Sequence, residues 1–277
     1  MDSKTLNKFD LNNEVCVITG GAGLLGVKHA EAIAECGGLP VIIDINEKDG
    51  LEQSKRITEE YNVDCQFYKC DITNEALLRD VVSRIITEFG AINTLINNAA
   101  NNEKMEEGNK TPNYRLESIP LEMWNKDFNI SVTGAFLCSR IIGPRMIENG
   151  GGVILNVSSD LGVIAPDQRV YYQPGVPEED QIVKPVTYSI VKHALIGLTK
   201  YLSTYWIGKN IRVNTICPGG VYSGQPKSIV DQLEYRIPLG RMATIDEYKA
   251  AIVFLISEAS AYMNGATVVM DGGRSTW

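Results

Sequence analysis

Seven short apolar runs punctuate the chain: VCVIT (15–19), LPVIIDI (39–45), CQFYKC (65–70), NTLINNA (93–99), GVILNVS (152–158), IRVNTICP (211–218) and ATVVMDG (266–272). Between them lie longer stretches of helical spacing, at about 24–36, 47–61, 74–89, 121–148, 187–208 and 245–258. Runs that are apolar at consecutive positions leave no face for water, so each strand must be covered on both sides. Strand followed by helix, repeated, predicts an α/β fold: a doubly wound parallel sheet of about seven strands with helices on both faces. Hydrophobic residues make up 44% of the 277, enough to fill such a core. No repeat or linker divides the chain, so 1–277 reads as a single domain. Two segments, 101–120 and 163–186, exceed ordinary loop length and read as insertions of a functional or mobile kind.

Several chemistries are disfavoured at once. The formal net charge is −8 with no basic block, which argues against nucleic acid and anionic membrane as partners. No apolar run approaches a membrane span, and MDSKTLNKFDLNNE lacks the apolar core of a secretory signal, so a cytoplasmic location is expected. The six cysteines are scattered without a Cys-x-x-Cys and read as core thiols. His29 and His193 are the only histidines and neither has a ligand-spaced companion, so neither a metal site nor a Ser-His-Asp triad is expected. Acid–base work falls to Tyr, Lys, Asp or Glu.

The stretch VITGGAGLLG (17–26) follows the first strand and opens the first helix. Gly20, Gly23 and Gly26 let the backbone turn tightly and approach a pyrophosphate seated on the helix N-terminus, with Leu24 and Leu25 in the same contact. This is the context required of a Rossmann-type dinucleotide turn. Asp44 ends the next strand, where a carboxylate accepts from adenosine ribose hydroxyls and repels a 2′-phosphate. No arginine lies in the neighbouring loop, so NAD is expected over NADP.

Two tyrosine–lysine pairs share a four-residue spacing, Tyr188 with Lys192 and Tyr205 with Lys209. Either could set a phenol beside an ammonium on one helix face, and spacing alone does not choose. The surrounding motifs do. TGGAGLLG (19–26), CDIT (70–73), NNAA (97–100), Asn129 in WNKDFNISVTGAF, NVSSDLG (156–162), Tyr188-x-x-x-Lys192, CPGGVYS (217–223) and PLGRMA…FLISEAS…GATVVMDGG (238–273) stand in one order. Over nearly its whole length the chain resembles the compact branch of the short-chain dehydrogenase/reductases.

That resemblance implies Tyr188 as the acid–base residue, Lys192 as its cationic partner and holder of the nicotinamide ribose, Ser159 on the substrate oxygen, and Asn129 in a water relay to Lys192. It places Asp71 and Ile72 by the adenine, Asn98, Ala99 and Ala100 by the adenosine ribose, and Pro218, Gly219, Val221 and Ser223 by the nicotinamide. A phenol titrating near ~10 is a poor base at neutral pH, and a neighbouring Lys⁺ and oxidised nicotinamide are expected to lower it. Tyr205 then reads as structural. A homo-oligomer, tetramer or at least dimer, is implied through the helices near 121–148 and 187–208. Their apolar residues on more than one face (Phe128, Ile130, Phe136, Leu137; Leu195, Leu198, Leu202, Trp206) are open to a core reading as well.

The chain departs from the branch pattern in three places. Position 24 is Leu where a glycine is usual, Ala100 replaces the glycine of NNAG, and Ser159 and Tyr188 stand unusually far apart. The glycine spacing resembles the nucleotide-sugar branch instead. SDLGVIAPDQRVYY (159–172), IVKPVTYS (182–189) and DGGRSTW (271–277) resemble flagellin-modification-type sugar oxidoreductases. The expected activity is NAD(H)-dependent interconversion of a secondary alcohol and a ketone on a sugar-derived or polyol substrate; the alternative is a nucleotide-sugar epimerase or dehydratase with tightly bound NAD. The insertion after Ser159 is expected to wall or cover the substrate pocket with polar and aromatic side chains, Asp167, Gln168, Arg169, Tyr171, Tyr172, Gln173 and Lys184, so that Arg169→Ala mainly raises KM; the alternative is a solvated surface excursion or an oligomer contact.

Overall fold

The computed structural model describes residues 4–101 and 114–277. Strands β1 (Val15–Thr19), β2 (Leu39–Asp44), β3 (Gln66–Lys69), β4 (Thr94–Asn97), β5 (Gly152–Val157), β6 (Ile211–Pro218) and β7 (Thr267–Met270) form one seven-stranded sheet in the order β3-β2-β1-β4-β5-β6-β7. Every neighbouring pair is parallel. The helices are α1 (Leu24–Glu35), α2 (Glu47–Tyr61), α3 (Glu75–Phe89), α4 (Leu121–Phe128), α5 (Gly134–Glu148), α6 (Val186–Tyr205), α7 (Lys227–Tyr235) and α8 (Lys249–Ile256).

Successive strand residues face opposite sides. In β1, Val15 and Val17 pack with Val82 and Ile85 of α3 and Ile142 of α5, whereas Cys16 and Ile18 pack with Ile33 of α1 and Ile252 of α8. Two separate cores result, one on each face, which is why the strands are apolar at consecutive positions. From β1 the chain winds outward through β2 to β3, then returns to place β4 on the other flank of β1. The loops leaving β1 and β4 therefore diverge and open a crevice at the C-terminal strand ends.

Four expectations are corrected. The last strand is shorter than 266–272 and half-exposed, because β7 is a sheet edge. The helix expected over 245–258 is α8 alone, since Glu247 folds back to accept from the Thr244 N–H at 2.7 Å and to pair with Arg241, fixing a turn before it. The helix expected over 121–148 is interrupted by a π turn, Asn129–Thr133. Helix α7 was not anticipated. The insertion at 163–186 contains short 3-10 turns at Gln168–Tyr171 and Glu178–Asp180, and its Val170 joins Ile229, Leu233, Ile237 and Met242 in a third apolar cluster. Most of the segment 101–120 lies outside the described residues. No helix among the described residues is long and apolar enough to cross a membrane.

Candidate active site

Gly20 adopts φ +61° and lies so close to β4 that a Cβ would come within 2.8 Å of the Ala99 Cα. A Cβ on Gly26 would sit 2.2 Å from the Gly20 carbonyl oxygen, so α1 can start this near the turn only with glycine there. Helix α1 has no side-chain cap. Its first-turn amides, those of Leu24 and Leu25 included, have no carbonyl one turn earlier to bond, which suits an anionic pyrophosphate.

Asp44 closes the rim of this turn. Its Oδ2 accepts from the Ala22 N–H at 3.1 Å and its Oδ1 from the Asn46 N–H at 3.0 Å, leaving lone pairs for ribose hydroxyls. Asn98 donates from Nδ2 to the carbonyls of Thr19 and Gly20, each at 3.0 Å. The Thr19 hydroxyl accepts from the N–H groups of Asn98 and Ala99, each at 3.1 Å, so this corner is braced, with Ala100 half-buried beyond it. Asp71 accepts from the Thr73 N–H and hydroxyl, whereas the Ile72 side chain turns into the core beneath Gly134, leaving its backbone for a ligand. At the far end β6 stops at Pro218. The Gly219 N–H donates to the Met270 carbonyl, Val221 bridges to Ala243, and Ser223 stands on an exposed turn engaged with Gln225.

Between these ends β5 runs into two serines. Ser158 donates to the Lys192 carbonyl at 2.7 Å and is a packing residue. Ser159 donates to Asp160 Oδ1 at 2.7 Å and accepts from the Leu161 N–H at 3.2 Å. Tyr188, on the first turn of α6, stands half-buried beside it. Burial and the Asp160 charge push the phenol pKa up, the Ser159 hydroxyl pulls it down, and the net is upward. The expected lowering is thus absent in the chain by itself. Lys192 donates from Nζ to the Val157 carbonyl at 2.9 Å and lies 5.8 Å from the Tyr188 ring centroid. Burial and repulsion from Lys184 bring its pKa down to about 8.

Asn129 opens the π turn, and its Oδ1 accepts from the Thr133 hydroxyl at 3.4 Å; no described bond joins it to Lys192. The neighbouring Asp127 accepts from the Thr187 hydroxyl and from Asn101, tying α4 to the start of α6. The rival pair is not helical: α6 ends at Tyr205, which stacks on Tyr201, and Gly208 turns left-handed before Lys209.

Two residues of the site, Asp160 and Arg274, have no role assigned by the motifs, and Lys184 is expected only in the wall of the substrate pocket. Asp160 is paired with Arg274 at 2.8 Å, their side chains 3% and 9% exposed. Lys184 reaches over Tyr188, its Nζ 3.8 Å from the ring centroid. Arg169, expected in the same wall, is instead 84% exposed and pairs with Asp167. An acid directly after the second serine and an arginine in DGGRSTW were visible as letters, but nothing in their spacing joins residues 114 positions apart.

Residues 14–174 match the short chain dehydrogenase family, well over half the chain. The chain belongs to that family. Residues 178–275 match the family described as enoyl-(acyl carrier protein) reductase. Among relatives of this dehydrogenase, D-threitol dehydrogenase of Mycolicibacterium smegmatis is 31% identical, covering 96% of this chain and 94% of its own. NAD-dependent glycerol dehydrogenase of Listeria innocua is 30% identical, covering 96% and 95%. A crystal structure of a gluconate 5-dehydrogenase from Burkholderia cenocepacia, in complex with NADP and tartrate, superposes with a TM-score of 0.84 at 26% identity, covering 98% and 99%. This chain is an oxidoreductase of the short-chain type that works with a nicotinamide cofactor.

Proposed function

We propose that this dehydrogenase interconverts a secondary alcohol and a ketone on a polyol or sugar-derived substrate, with NAD(H) as the cofactor. The observation that carries the reading is the convergence of Ser159, Tyr188 and Lys192 at the mouth of β5, beside the glycine turn. The cradle at Gly20 and Gly26, the uncapped start of α1 and the Asp44 carboxylate fit a dinucleotide. NAD, when bound, supplies the hydride acceptor.

The chain's own groups handle the proton. In the alcohol complex Ser159 turns its hydroxyl from Asp160 to donate to the substrate oxygen, which leaves the single substrate hydroxyl proton free to point at Tyr188. Tyr188 takes the hydroxyl proton as the carbonyl forms and returns it in reduction. Lys192 stabilises the phenolate by charge and holds ribose hydroxyls. Relatives named for threitol and glycerol support a hydroxyl-rich substrate. The finer likeness to flagellin-modification-type oxidoreductases rests on segments 159–172, 182–189 and 271–277 and points to sugar-derived substrates too. We read the working form as a homo-oligomer in the cytoplasm.

The test is a panel of polyols and keto-sugars followed by NADH absorbance. Tyr188→Phe should lower kcat at least ~100-fold while NAD binding stays within about twofold, because one transferable proton is removed. Tyr205→Phe should stay within a few fold. Near-normal turnover by Tyr188→Phe would take the role away from Tyr188.

A further inference from the structure

The other buried and half-buried cations among the described residues have oxygen partners. Arg274 pairs with Asp160, Lys249 with Glu31 and Glu35, Arg56 with Glu31, and Lys192 donates to a carbonyl. Lys184 differs. Among the described residues no carboxylate or carbonyl oxygen receives its Nζ, and its one partner is the face of Tyr188 at 3.8 Å. The position is built rather than incidental. The Gln168 side chain accepts from the Lys184 N–H at 2.8 Å and donates to its carbonyl at 3.2 Å, and Pro185 follows at the cap of α6. The groups facing Tyr188 are Ser159, Asp160, Lys192, Lys184 and, behind them, Tyr171 and Arg274. Asp160 is the one carboxylate, and Arg274 already neutralises it. Lys192 is matched by the phenolate that forms in the reaction, which leaves the Lys184 ammonium without a counter-charge of its own, a costly arrangement unless an anion joins it. A cavity of about 430 Å³, lined by Arg115, Glu117, Gln168, Lys184 and Ser189 among others, opens beside Lys184 and gives such a group room, the Glu117 carboxylate being paired with Arg115 at 3.6 Å.

We propose that Lys184 receives an anionic group of the substrate, so that the preferred substrates are charged sugar derivatives, an aldonate or a sugar phosphate, rather than uncharged polyols. This rests on the alcohol–ketone reading above and narrows it. Burial brings the Lys184 pKa down to about 8, so the ammonium is charged at neutral pH and loses its proton just above it.

The experiment uses the full chain with NAD and the matched set sorbitol, D-gluconate and sorbitol 6-phosphate. Wild type should favour gluconate or sorbitol 6-phosphate over sorbitol by about tenfold or more in kcat/KM, and which of the two responds names the anion. Lys184→Met and Lys184→Gln should lose that about tenfold advantage, with KM for the charged substrate rising relative to KM for sorbitol, and Lys184→Arg should keep most of it. In the wild type, KM for the charged substrate should rise with salt and with pH through about 8, a readout that needs no variant. Equal rates on all three, or an equal loss on charged and neutral substrates with a displaced pH profile, would overturn the proposal and make Lys184 a group acting on Tyr188. If neither this set nor the wider polyol and keto-sugar panel yields NADH, the alcohol–ketone reading fails instead. Calorimetric binding of gluconate and of sorbitol 6-phosphate then decides the anion site: binding that weakens about tenfold in Lys184→Met upholds it, and no binding or unchanged binding rejects it.

Discussion

Asp160 carries two partners at once, the Ser159 hydroxyl and the Arg274 guanidinium, in a place water does not reach. Removing one member of a buried pair strands the other charge, at a cost of about 3–5 kcal/mol, whereas an exposed pair is worth about 0–1 kcal/mol. Arg274→Met should therefore lower unfolding free energy in urea by about 3 kcal/mol or more and depress kcat, while Arg241→Met, at the exposed pair with Glu247, should do neither. A loss no larger than that of Arg241→Met would show that Arg274 is dispensable. Asp44 sets a second expectation at this scale. Its carboxylate faces any 2′-phosphate, so NAD should bind at least about tenfold tighter than NADP, a difference of ~1.4 kcal/mol, and Asp44→Ala should narrow the gap. Titrating both cofactors against tryptophan fluorescence measures it, and equal affinities would sink the argument. Asp44 could be named from its place at a strand end, and Ser159, Tyr188 and Lys192 from the order of the family's motifs. The place of Lys184 over Tyr188 and the pairing of Asp160 with Arg274 could not, because they are set by how distant segments meet.

The insertion and α7 form a small lobe of their own. Val170 packs against Ile229 and Leu233, and Arg236 donates to Asp167 Oδ2 at 2.7 Å. Arg169 and then Arg236 hold the Asp167 carboxyl well below its usual range, so the lobe's polar clasp persists in mild acid. Since Lys184 lies in the same insertion, loosening the clasp should disturb substrate binding before it disturbs the sheet. Arg236→Ala should raise KM several-fold and speed protease cleavage within 163–186, with the melting temperature changed by only a few degrees. Unchanged KM and cleavage would detach the lobe from the site. The central strands were legible because burial on both faces forces apolar residues at every position. Helix α7 was hidden by its length and by the prolines around it, and its few apolar residues make sense only against Val170. The π turn leaves no sequence signal beyond the motif that contains Asn129.

At the scale of the whole molecule, most of the apolar excess on α5 and α6 belongs to the interior: Leu137, Leu195, Leu202 and Trp206 are buried within the chain. Phe136, Ile190, Tyr201 and Tyr205 stay exposed and are the ones available to another copy. Light scattering at micromolar concentration should give a dimer or tetramer, and a monomer would reject the homo-oligomer. Stability against acid is also a property of the whole. His29 is fully enclosed, its ring nitrogens without a hydrogen-bond partner among the described residues, although Asn98 lies near enough to raise its pKa a little. Burial brings that pKa down from 6.5 to about 4. The unfolded chain thus takes up a proton that the native one refuses, and stability declines as pH falls from about 6.5 toward 4, by about 3 kcal/mol. A neutral replacement, His29→Leu, should flatten that decline in urea titrations at pH 7 and 5; an unaltered slope would assign the acid lability elsewhere. The strand order has a kinetic consequence. The half-sheet β3-β2-β1 and the half-sheet β4 to β7 meet in one ladder of three residue pairs, Cys16 with Thr94, Val17 with Leu95 and Ile18 with Ile96, and the crevice lies across that seam. A dinucleotide laid from Asp44 to Gly219, as proposed, would clasp both halves, and hundredfold saturation would add about 2.7 kcal/mol against their parting. The supply of cofactor then governs how long each molecule survives as well as how fast it turns over.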